Sequence, residues 1–261
     1  MNEQFGVGSV LGTGFRVYGR NIIAFTLITA ILYIPLGAYT MWLVNNIEHQ
    51  TGSSLLKGAG ITLLMTLFLD AFVTATLTYG VVKELQGERA SIGKCLAVGF
   101  SRMFPVFGVA ILAGLAMVAL PLVASFLGIA MKSPEATLLL LLLSIIPAII
   151  IACMLYVATP ASVIEKPGVF GALSRSRELT SGNKGAIFGI RFMLGLIGFG
   201  VGKIEGAMFT DASSLKTFMY VDFGTKIILG AIGSCVAAVA YYSLRATKEG
   251  TSANELASVF E

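Results

Sequence analysis

The sequence predicts an all-α integral membrane protein: six transmembrane helices in three hairpins, each hairpin preceded by an interfacial amphipathic helix. Three observations lead there. Of 261 residues, 56% are hydrophobic and only 12% charged, with a mean hydropathy of +0.86, whereas soluble domains carry about 25% charged residues. Apolar runs long enough for the roughly 20 residues that a bilayer core requires recur along the chain. Short stretches that alternate apolar and basic faces at helical spacing lie between them.

The first such stretch, residues 5–20, sets Val7, Val10, Leu11, Val17 and Tyr18 against Thr13, Arg16 and Arg20, loosened by Gly8, Gly12, Gly14 and Gly19. Ile22 to Val44 is the first span, with Pro35 as a kink and Trp42 as an interfacial anchor. The start Met1-Asn-Glu-Gln has no basic n-region and no cleavage pattern follows the run, so this span is expected to remain in place. The second span covers about Leu55 to Val82 and contains Asp70. A second amphipathic piece, Ser91 to Phe104, groups Ile92, Cys95, Leu96 and Met103 opposite Lys94 and Ser101, with Arg102 near its end. Pro105 to Ala130 is the third span, a turn at Met131 to Glu135 follows, and Thr137 to Ala158 is the fourth; Pro121 and Pro147 interrupt these two. The third amphipathic piece opens the stretch Gly168 to Arg191, with Val169, Ala172, Leu173, Ser176 and Thr180 on one face and Arg175, Arg177 and Glu178 to the side and back. A Gly-Asn-Lys-Gly break at Gly182–Gly185 leads to the fifth span, Ala186 to about Gly202. Lys203 to Val221 reads as a long loop, and Phe223 to Leu244 as the sixth span.

Thirteen of the eighteen Lys and Arg residues fall on the side of the amphipathic stretches and both termini. The positive-inside rule then places both termini in the cytoplasm. The net charge of +4 is loop charge that sets orientation and meets anionic lipid, and no basic run interleaved with aromatics points to nucleic acid. The form Val7-Gly-Ser-Val-Leu11 returns as Ile92-Gly-Lys-Cys-Leu96 and, one residue shorter, as Phe170-Gly-Ala-Leu173. The chain 1–250 therefore reads as one transmembrane domain of three parallel repeats, 5–82, 91–158 and 168–245, followed by a polar tail, 251–261.

Ala172-Leu173, Ser176, Arg177, Leu179-Thr180, Gly182 and Phe188-Gly189 form a pattern ahead of a span. It resembles the signature of bacterial multi-span proteins similar to the membrane domain of glycerophosphoryl diester phosphodiesterase, and of related uncharacterised families. The resemblance covers about 25 residues and implies a bacterial inner-membrane protein. It concerns the membrane part alone, because nothing here corresponds to a soluble catalytic barrel.

Few residues suggest chemistry. His49 is the only histidine, Cys95, Cys153 and Cys235 are widely separated, and no nucleophile–base set or phosphate-binding loop occurs, so no enzyme, metal or cofactor is expected. Asp70 lies midway along its span, where a charge costs about 3 kcal/mol unless it is paired, hydrated or protonated. It is a proton or cation site, a contact to another helix, or a protonated or hydrogen-bonded side chain facing Thr66, Thr74 or a Ser or Thr of another span. Gly198, Gly202 and Gly206 form a small-residue face for packing within the bundle or for self-association. Lys203 and Glu205 lie near the external boundary and read as solvated ends of a span, with pairing to Asp222 or Lys226 as the alternative. The basic residues Arg16, Arg20, Lys94, Arg102, Arg175, Arg177 and Lys184 are candidates for anionic lipid head groups.

The leading expectation is a non-enzymatic inner-membrane protein that organises lipid or partner proteins through its interfacial helices. Its rival is a small transporter or channel using Asp70, and a third reading is the membrane subunit of a complex with a separate catalytic chain. A cavity that gathers Asp70, Thr74 and other polar groups would favour transport; dry packing of the same groups would favour a scaffold.

Overall fold

The computed structural model describes residues 5–46, 51–88, 91–209 and 215–250. These form ten helices: α1 (Val7–Arg20), α2 (Ile22–Asn45), α3 (Gly52–Leu85), α4 (Ile92–Ser101), α5 (Met103–Ala130), α6 (Pro134–Met154), α7 (Ala158–Ile164), α8 (Gly168–Thr180), α9 (Lys184–Met208) and α10 (Leu215–Glu249). Six segments are long and apolar enough to cross a membrane: α2, α3, α5, α6 with its continuation through α7, α9 and α10. His49 and the tail 251–261 lie outside the described residues.

The long helices are continuous through Pro35, Pro121 and Pro147. α2, α3 and α10 pack on one another and form the centre. Phe25, Ile28, Val73, Leu77, Val239, Tyr241 and Leu244 are fully buried there. α5 pairs with α6 and lies against α3, whereas α9 touches α1, α6 and α10. The outer surfaces of α5 and α6 expose Phe126, Ile129, Leu138, Leu142 and Ile146, which a hydrocarbon solvent tolerates and water does not.

The three short helices α1, α4 and α8 share one pattern of burial. Val10, Cys95 and Ala172, each just before one of the leucines Leu11, Leu96 and Leu173, are buried to within 1% of complete. One turn further on, Gly14, Gly99 and Ser176 are buried as well. These positions meet three different long helices. Gly14 lies against Val236 of α10, Gly99 against Thr76 of α3, and Ser176 Oγ donates to the Met154 carbonyl at the end of α6 at 2.7 Å. An added Cβ at Gly14 would stand 3.1 Å from the Val236 backbone, so glycine is what permits that approach.

Several expected boundaries move. Lys203 to Met208 continues α9, and residues 215–221 open α10, so the stretch read as a long loop is helical over most of its described length. α6 starts at Pro134 because Ser133 accepts from Ala136 N–H at 3.2 Å and proline sits in the first turn. α7 was not expected. The expected end of the fourth span, Ala158, falls at the start of this helix, and Pro160 lies in its first turn, where a missing N–H costs nothing. Ala158, Pro160, Ala161, Ser162, Val163 and Ile164 are all buried among α3, α5, α8 and α10. The turn between α8 and α9 passes through Gly182 at φ +84°, a left-handed conformation that glycine adopts without strain.

Candidate functional site: a polar path through the bundle

α3 is apolar for most of its length, so Asp70 is carried to mid-span by the residues around it, on an exposed side of the helix. Its carboxylate accepts a hydrogen bond from Tyr33 Oη of α2, whose ring is buried. One turn on, Thr74 Oγ1 lies 2.8 Å from the Asp70 backbone carbonyl and 3.0 Å from Ser234 Oγ of α10. Neither Thr66 nor Thr74 binds the Asp70 carboxylate; Thr66 Oγ1 donates instead to the Thr62 carbonyl. The partner is a tyrosine from another helix.

Asp70 lines two open cavities. On the N-terminal side of Asp70 along α3, a cavity of about 350 Å³ is lined by Tyr33, Thr66, Asp70, Glu205, Asp222 and Lys226, among others. A second cavity of about 430 Å³ runs past Asp70 along α3 from Leu67 to Thr74, and is lined also by Tyr156, Thr159, Arg191 and Ser234, together with apolar residues of α5 and α6. Asp70 and Gly230 are common to both. The two cavities meet at one carboxylate, with further polar groups set apart along mostly apolar walls.

Each cavity has charged groups at a distance from that junction. In the first, Lys226 Nζ is 2.7 Å from Asp222, and Thr225 Oγ1 donates to Glu205. Glu205 is only 6% exposed, so it is not the solvated helix end expected of it. In the second, the Arg191 guanidinium lies 5.4 Å from the centre of the Tyr156 ring. Sequence reasoning counted Arg191 only as loop charge and passed over Tyr33 and Tyr156. A glutamate beside a small-residue face, and an arginine two turns into an apolar helix, were the signals that could have found Glu205 and Arg191.

Gly198, Gly202 and Gly206 do not form an internal packing face. A Cβ added at any of them would meet nothing within 4 Å. Gly198 and Gly202 instead widen the first cavity, and Gly206 lines a separate surface hollow with Phe199 and Lys203. The expected packing fails because α10 faces Gly198 and Gly202 across the first cavity without touching them.

The seven basic candidates separate into groups. Arg16, Lys94, Arg177 and Lys184 are exposed and have no ion pair among the described residues. Arg102 is half-buried, and Arg20 reaches Glu84 at 3.4 Å. Arg175 is already committed: its side chain is 17% exposed and contacts Glu165 at 2.7 Å, Glu178 at 3.1 Å, and Glu249. Burial alone would loosen its proton, and the bonds and charges of Glu165 and Glu178 more than reverse that. It is an internal tie and not a free lipid ligand.

No protein-family model matches the chain, and neither a curated protein nor a solved structure is detectably similar to it.

Proposed function

We propose that this chain is a small multi-span transporter whose solute path passes Asp70. The observation that carries this reading is the placement of one mid-span carboxylate in the walls of two adjoining cavities. A charge at that depth costs about 3 kcal/mol, and a group with one tyrosine partner and two open faces is suited to take and release a proton or cation. This favours the transport reading over a scaffold that packs its polar groups dry. In the same reading both termini are cytoplasmic, the membrane is a bacterial inner membrane, and the family is the one suggested by Ala172 to Gly189. Three repeats, each a surface helix and a hairpin, form a ring in which every surface helix rests on the second span of the preceding repeat. The contacts Gly14–Val236, Gly99–Thr76 and Ser176–Met154 support that ring.

The test is proton entry into proteoliposomes after an acid step, followed with an enclosed pH dye. Asp70→Asn is expected to slow entry at least about ten-fold, equivalent to about 1.4 kcal/mol in barrier. Unchanged entry in a folded Asp70→Asn protein would sink the transport reading.

A second reading, contact with lipid head groups, is favoured by one observation. Ser174, Arg177, Ser181, Lys184 and Lys248 surround an open hollow of about 610 Å³ beside the α8–α9 turn, with Glu178 as its only acidic member. Head-group contacts are worth about 1 kcal/mol for each cation. Arg177→Gln with Lys184→Gln is expected to reduce phosphatidylglycerol retained in native mass spectra; equal retention would leave these cations with topology alone.

A further inference from the structure

The second cavity has two features that the passage of a proton does not require. Tyr156 lines it, and the Tyr156 hydroxyl is buried without a hydrogen-bond partner. Burying such a group unpaired is unfavourable, and a small rotation of the side chain toward the cavity would let the hydroxyl donate to an occupant. Arg191, in the same lining, lies over the Tyr156 ring and has no carboxylate partner among the described residues. Thr159, Thr74 and Ser234 add hydroxyls, while Leu67, Ala71, Ala110, Ala113, Met117 and Leu155 make the remaining wall apolar. One unopposed guanidinium, one orphan hydroxyl and an apolar wall match a small molecule with a single carboxylate and a short hydrocarbon part.

We propose that this cavity binds a small amphipathic monocarboxylate, its carboxylate on Arg191 and the Tyr156 hydroxyl and its apolar part along α5. The proposal rests on the transport reading and names its substrate class. Asp70 lines the same cavity, so an anionic Asp70 repels the incoming carboxylate and a protonated one does not. Anion and proton therefore bind together: one proton adds to the Asp70 carboxylate as one carboxylate enters, and both leave on release. No net charge is added to the interior. The other charged or titratable groups lining the two cavities are Tyr33 of α2, Glu205 and Arg191 of α9, Asp222 and Lys226 of α10, and Tyr156 between α6 and α7; α5 supplies none. Acidic conditions should thus favour anion binding, and the dependence should vanish without the Asp70 carboxyl.

Calorimetric titration of the purified full chain with butanoate and laurate, and with methylammonium as a cationic control, tests this. Repeating it in buffers of different ionisation enthalpy counts the protons taken up. Wild-type protein is expected to bind carboxylate with uptake of about one proton, and Asp70→Asn to bind it with none. Arg191→Gln is expected to weaken binding at least about ten-fold, Arg191→Lys less, and Tyr156→Phe by several-fold, with unfolding midpoints near wild type. Binding of laurate without butanoate overturns the small-acid assignment, because the site then takes a membrane-borne long chain. Equal affinity in Arg191→Gln and Tyr156→Phe overturns the proposal, as does absence of proton uptake or preference for methylammonium. If neither acid binds while Asp70→Asn still slows proton entry, the substrate class fails and the transport reading stands. If both acids bind while proton entry is unchanged, the transport reading fails and a carboxylate receptor remains.

Discussion

Arg175→Ala will lower the unfolding midpoint of the detergent-solubilised protein more than removal of any exposed cation on the same helix. Exposed ion pairs are worth between zero and about 1 kcal/mol, but Arg175 and Glu165 are each more than four-fifths shielded. Arg175 also bridges separate elements. Glu165 follows α7 and accepts a second bond from Tyr241 Oη of α10 at 2.6 Å. Glu249, at the end of α10, is held in turn by Arg245 at 2.8 Å, and Lys248 Nζ donates to the Glu178 carbonyl at 2.7 Å. Deleting the guanidinium leaves Glu165 with a tyrosine alone, near the protein interior.

Breaking a fully buried pair costs about 3–5 kcal/mol, and partial solvent access at Glu178 and Glu249 reduces this to about 2 kcal/mol. Arg177→Ala, on an exposed side chain, should cost less than about 0.5 kcal/mol. Pairing Arg175→Ala with Glu165→Gln should recover part of the loss, because the stranded charge goes with its partner. Thermal melts of the four proteins in one detergent decide the matter. Equal midpoints for Arg175→Ala and Arg177→Ala would reduce the network to a surface feature.

The spans were legible because their signal is a sum over more than 20 residues, and a shift of a few positions at either end does not erase it. Asp70 was legible for the same reason in reverse: a carboxylate in a long apolar run has no water to serve it. Its partner was not. Which residue of α2 faces Asp70 depends on the rotation of two helices about their axes, and Tyr33 is 37 residues away. Thr66 and Thr74 were nearer in sequence and chemically suitable, but their hydroxyls are taken by backbone carbonyls one turn back. Glu205 was misread because hydropathy falls at Lys203, whereas the backbone of α9 continues to Met208 and brings Glu205 to Thr225 of α10. Proline at the third position of a seven-residue helix looks like a terminator when tertiary burial is unknown, which is why α7 was missed.

Gly128→Ala and Gly206→Ala will change stability in opposite directions, although both replace a helical glycine in an apolar run. A Cβ at Gly128 would stand 2.5 Å from Thr137 Cα and 2.3 Å from its hydroxyl oxygen. Backbone cannot yield as a side-chain tip does, so α5 and α6 must part where they are joined by only three residues, Met131 to Ser133. Forcing one extra carbon into such a contact costs about 1–3 kcal/mol, and a bulkier Gly128→Val should prevent assembly of the pair. At Gly206 the new methyl meets nothing within 4 Å, and only the helical preference for alanine acts, a gain of up to about 1 kcal/mol. Spacing alone suggested the reverse ranking, since Gly206 belongs to a repeating small-residue stripe and Gly128 does not. What decides the cost is the surface opposite the glycine. Unfolding midpoints of the two variants test this directly. A loss of stability at Gly206, together with a change in the size of the solubilised particle, would place a second chain against that face and replace the present account of α9.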